Sequence, residues 1–75
     1  MKIAVVRRGD RWLAQVVHIG NELHWVVHRR IQHEVSRWVS ENCTDYLIDG
    51  WQFFFKNEQD LTLFLLRWDG YNEGS

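Results

Sequence analysis

Three short dipeptides govern what this chain can become. "GD" at 9–10, "GN" at 20–21 and "DG" at 49–50 each separate a pair of runs rich in β-branched or aromatic residues. Gly, Asn and Asp tolerate positive φ, so two-residue loops of this kind suit tight hairpins. Taken as loops, they set a register. Arg7 faces Trp12, Val5 faces Ala14 and Ile3 faces Val16; across the next loop Val16 faces Trp25, Ala14 faces Val27 and His18 faces Leu23. Directly opposed residues share a sheet face, so Ile3, Val5, Trp12, Ala14, Val16, Leu23, Trp25 and Val27 gather on one side. The third loop pairs Ile48 with Trp51 and Tyr46 with Phe53, and Phe55 continues that face.

Two segments change to helical period. In "IQHEVSRWVSENC", residues 31–43, the residues Ile31, Val35, Trp38, Val39 and Asn42 fall on one arc, and His33, Arg37 and Ser40 fall opposite. In "KNEQDLTLFLLRWDG", residues 56–70, Asn57 is placed to cap a helix, Glu58 and Asp60 sit in its first turn where the dipole favours them, and Gly70 follows its end. The expected order is β-β-β-α-β-β-α: a mostly antiparallel sheet with both helices packed on one face, a two-layer α+β domain spanning 1–75. Val35, Trp38, Phe53, Phe64 and Trp68 are the expected core. Residues 22–30 also admit an upstream extension of the first helix, in which Val27 stays on the apolar stripe and Trp25 and Val26 leave it.

At 75 residues with five Trp, four Phe and two Tyr, the chain relies on large rings for buried area. Cys43 is the only cysteine, which leaves no internal disulfide and favours a reducing compartment. The opening "MKIAVVRRGD" is not a secretory signal, and no apolar run approaches the ~20 residues of a membrane span. A cytoplasmic protein is expected. The net charge of −1 conceals an asymmetry: residues 1–40 sum to +4 and residues 41–75 to −5. Internal pairing of these two segments competes with a basic end that attracts acidic partners.

The last third carries a wider likeness. Phe55, Asn57, Glu58, Asp60, Leu61, Phe64, Leu66, Arg67 and Trp68 follow a pattern F-x-N-E-x-D-(apolar)-x-x-F-x-L-R-W, preceded by the helix "VSRWVSENC". Over residues 35–68 this resembles small bacteriophage-encoded accessory proteins of uncertain function. The resemblance implies a viral origin, a host bacterial cytoplasm and an accessory role; it carries over no catalytic residue.

Catalytic chemistry finds little footing. His24, His28 and His33 with Cys43 raise a metal reading, but on a strand His24 and His28 stand about 13 Å apart at the usual rise, too far for one ion. Ser36 and Ser40 lie on a polar helix face, Cys43 ends its helix away from the positive N-terminus, and Asp45 and Asp49 read as turn residues. No cofactor, metal or catalytic residue is assigned, and a non-enzymatic protein is expected.

Binding chemistry is better supplied. In the derived register Arg7, Arg8, Arg11, Arg29 and Arg30 crowd one edge of the sheet with Trp12 among them, a composition suited to phosphate or carboxylate recognition. On the second helix, with Leu61, Phe64, Leu65 and Trp68 turned to the sheet, Leu63 and Leu66 point outward. The second sheet face shows Leu13, Val17 and Val26 besides Ala4 and Val6. This is more apolar surface than so short a chain buries alone, and such patches mark interfaces. The expectation is an accessory protein that binds and modulates a host or viral protein, most economically as a homodimer, with no membrane partner. The alternative is a nucleic-acid-binding module that uses the arginine edge.

Overall fold

The computed structural model describes residues 1–18 and 25–71. Strands β1 (Lys2–Arg8) and β2 (Arg11–His18) precede helix α1 (Trp25–Asn42); strands β3 (Tyr46–Asp49) and β4 (Gln52–Phe55) precede helix α2 (Glu58–Trp68). The four strands form one antiparallel sheet in the order β1-β2-β4-β3, and the fold is α+β.

The first hairpin follows the spacing of its loop. Gly9 takes a φ of 61°, Arg8 faces Arg11, and Arg7–Trp12, Val5–Ala14 and Ile3–Val16 are opposed as expected. The second hairpin corrects the expected register. Its turn is Gly50–Trp51, with Gly50 at φ 59°, and Asp49 belongs to the strand; Ile48 faces Phe53 and Tyr46 faces Phe55. Each pair moves by two residues, so no side chain changes face.

The expected third strand is a larger correction. Residues 25–30 form the first turns of α1, while "GN" at 20–21 and Leu23 lie outside the described residues. The position beside β2 is taken instead by β4, with Trp12 opposite Phe55 and Ala14 opposite Phe53. The i, i+4 spacing Val27–Ile31–Val35–Val39 accounts for this: one apolar stripe runs through the segment, and helical period outweighs the local run of β-branched residues.

Helix α2 carries the expected signals. Asn57 Oδ1 accepts the Gln59 N–H at 2.8 Å, the Asp69 N–H donates to Leu65 O, and Gly70 adopts a φ of 87°. Both helices cover the same face of the sheet. Ala14, Phe53 and Phe55 are buried there with Ile31, Val35 and Val39 of α1 and Leu61, Phe64 and Trp68 of α2. Phe64 is the centre of the aromatic packing, 5.0 Å from Phe53 and 5.1 Å from Phe55 between ring centroids. Trp38 is half-buried and meets Trp68 edge to face at 6.3 Å. Met1 joins this core too. Its ammonium donates to the Tyr71 carbonyl, and its own carbonyl accepts the Gly70 N–H at 2.7 Å, so the start of β1 is tied to the end of α2.

Candidate protein-binding surfaces

The core lies on the helix-covered face of the sheet, which leaves the opposite face without a part in it. Alternation sends Leu13 to the opposite side from Ala14, and Phe54 to the opposite side from Phe53 and Phe55. The registers then align one residue from every strand in a single row: Val6 opposite Leu13, Leu13 opposite Phe54, Phe54 opposite Leu47. The centre of the row is closed and its ends are open. Leu13 is 3% exposed, Phe54 is half-buried, and Val6 and Leu47 are 47% and 55% exposed. Val17 adds a further exposed side chain on this face. Leu13, closed from water between Val6 and Phe54 in the row, therefore departs from the expectation of an open contact residue. Val26 is in α1, not on a strand, and its side chain lies outside the described residues. Leu47 and Phe54 were missed as members of this surface, although their parity against Tyr46 and Phe53 was readable from "YLIDGWQFFF".

The arginines do not assemble as expected. Arg7, Arg8, Arg11 and Trp12 do meet at the first hairpin, where the Arg7 guanidinium lies 4.5 Å from the Trp12 ring centroid and its Nε donates to Gly9 O. Arg29 and Arg30 belong to α1. Gln32, one turn or less beyond them in that helix, lies at the second hairpin, since a Cβ on Gly50 would lie 3.9 Å from Gln32 Nε2. The two turns stand at opposite ends of the sheet: Trp12 next to the first turn opposes Phe55, and Gln15 opposes Gln52 next to the second. The expected edge of five guanidinium groups is thus divided between two ends, because it depended on residues 22–30 forming a strand. At the first end the chain's own acids intervene. Arg11 lies 3.7 Å from Asp45, and Lys56 lies 4.0 Å from Asp10. Arg8 and Lys2 have no such partner among the described residues.

Helix α2 presents Leu63 and Leu66 outward, 46% and 79% exposed. Leu63 also lines an open groove of about 460 Å³ with Glu58, Gln59 and Thr62. A smaller groove of about 250 Å³ runs between the helices beside Arg37, Trp38, Arg67 and Trp68. Arg67 stacks on Trp68 at 4.1 Å, closing part of that groove.

Cys43 is buried, and its thiol is pushed up to about 11, first by burial and second by the negative charge of Asp60. A thiol held there keeps its proton at neutral pH and is a poor nucleophile. Among the described residues, no group of three His, Cys, Asp or Glu side chains is placed to hold a metal ion, and no helix is long and apolar enough to cross a membrane. No family model, curated protein or solved structure matches the chain.

Proposed function

We propose that this chain is a small non-enzymatic binding protein of the phage accessory type, which docks onto a host or viral protein in the bacterial cytoplasm and modulates it. The sheet face turned away from the helices supports this reading. The apolar row crosses all four strands, and its two ends, Val6 and Leu47, are apolar surface that the described residues leave exposed. Apolar patches of this kind mark contact surfaces. The test is a photo-reactive side chain at Leu47, cross-linked in lysate of infected bacteria with and without Val17→Glu. Capture of one defined protein, lost in the variant while the fold is retained, is the expected result. Failure to cross-link anything, together with a monomeric mass at high concentration, overturns it.

The hairpin end favours a second reading, since Arg7 and Arg8 beside Trp12 suit phosphate and base stacking. An oligonucleotide titration at two salt concentrations separates the two. Phosphate contacts release counterions, so tight binding that collapses as salt rises replaces the protein-docking reading.

A further inference from the structure

Strand β1 is an edge of the sheet: one side pairs with β2, and among the described residues no strand pairs with the other. The hairpin fixes which backbone groups face outward. A two-residue loop is closed by a pair that exchanges both hydrogen bonds, here Arg8 and Arg11, and the exchange then alternates along the ladder. Ala4 and Val6 therefore turn their N–H and C=O groups toward β2. Ile3, Val5 and Arg7 turn theirs to the open edge. This edge is held at both ends, by the Met1 bonds to Gly70 and Tyr71 and by the turn that Arg7 braces through Gly9. A template fixed in advance loses little freedom on binding.

Edge strands are commonly defended by charge, proline or a bulge. In β1 the charges stand only at the ends, Lys2 on one side and Arg7 and Arg8 on the other, and the middle "IAVV" has none. The register irregularity falls at Lys2/Ile3, outside that middle. We infer that β1 receives an extended segment of another protein by strand addition, a segment with an apolar middle and acidic flanks. The inference rests on the protein-docking reading and names its partner's chemistry. Charge selects this occupant over a second copy. Two β1 strands paired antiparallel about Val5 would set Lys2 of each against Arg8 of the other, and like charges directly opposed are destabilising. Acidic flanks meet cations in either strand direction.

The experiment uses the isotope-labelled chain and two synthetic eight-residue peptides, each with four alternating Val and Thr in the middle. One peptide has two Glu at each end, the other two Lys. The Glu peptide should bind saturably and slow amide exchange at Ile3, Val5 and Arg7, and leave the already paired amides of Ala4 and Val6 unchanged. The Lys peptide should bind at least about tenfold more weakly, a difference of the size of one charge-assisted hydrogen bond. Val5→Pro removes one outward donor at an edge position that tolerates proline, and should weaken the Glu peptide about tenfold. Should that variant fail to fold, Arg8→Glu serves instead and should reverse the preference between the peptides. Equal binding of both peptides, binding without protection at Ile3, Val5 and Arg7, or no binding overturns strand addition. Protection of those amides that rises with protein concentration in the absence of peptide assigns the edge to a second copy, and also overturns it. In each of these cases the docking reading stands or falls separately, on the Leu47 cross-link.

Discussion

Asp60, in the first turn of α2, holds Thr44 in the connection between α1 and β3: its Oδ2 accepts the Thr44 N–H at 3.0 Å and the Thr44 hydroxyl at 3.4 Å. The same carboxylate sits near the positive end of its own helix, which stabilises its charge. One side chain thus ties the connection between α1 and β3 to the first turn of α2. Asp60 is buried and Thr44 is exposed, so removing the carboxylate loses a charge-assisted hydrogen bond whose donor can turn to water. Asp60→Ala should lower stability by about 1–3 kcal/mol, and Asp60→Asn, which keeps an acceptor, by less. Urea denaturation of the two variants against the parent chain measures the difference, and equal losses would show that hydrogen bonding to Thr44 is not the cause.

Cys43 gives a pH dependence with a definite sign. Its thiol rises from 9.0 to about 11 in the folded chain, by burial and by the charge of Asp60. The folded state then keeps a proton that the unfolded state releases between pH 9 and 11. The thiol's contribution to stability is intact below pH 9 and is lost as pH rises toward 11. Denaturation midpoints at pH 8 and pH 10, in reductant, should fall more for the parent chain than for Cys43→Ala. Alkylation of Cys43 at pH 8 should be slow in the folded protein and fast in urea, since the thiolate is the reacting form.

The first hairpin and α2 were legible because each is specified by its neighbours in sequence. Gly9–Asp10 sets the pairing from Ile3 to Val16, and Asn57 and Gly70 bracket α2. Residues 25–30 were harder, for "WVVHRR" carries β-branched residues that suit a strand and a Val27–Ile31 spacing that suits a helix. Pairing of β2 with β4 decides between them, and that contact joins residues about 40 apart in sequence, with no local signal to announce it. The candidate site inherits this difference. The outward positions of Leu63 and Leu66 depend on one helix and were read correctly, whereas the arginine edge depended on a long-range pairing and was divided.

Leu63 and Leu66 are expected to carry a homodimer contact. Burying a leucine side chain contributes roughly 1.5–3 kcal/mol, so two from each subunit matter in a small interface. Leu63→Lys with Leu66→Lys leaves the Asn57 cap and the buried Leu61, Phe64 and Trp68 in place. The double variant should keep its fold, and its mass by light scattering should fall from dimer to monomer. A parent chain already monomeric at high concentration removes the dimer and leaves a heterologous partner.

Leu13 and Val17 share the open sheet face but should behave in opposite ways. Val17 is exposed, so Val17→Lys should change stability by no more than about 0.5 kcal/mol, as for surface positions generally. Leu13 is flanked by Val6 and Phe54 and almost closed from water, although among the described residues no helix lies on that side. Leu13→Ala removes that contact and opens a gap between the two neighbours, at a cost of about 2–5 kcal/mol if they cannot close on it. Thermal or urea unfolding of the two variants measures this. A Leu13→Ala loss near the lower bound would mean that Phe54 swings over the vacated space; a loss below about 1 kcal/mol would mean that the row is a contact surface throughout, with Leu13 as open in solution as Val17.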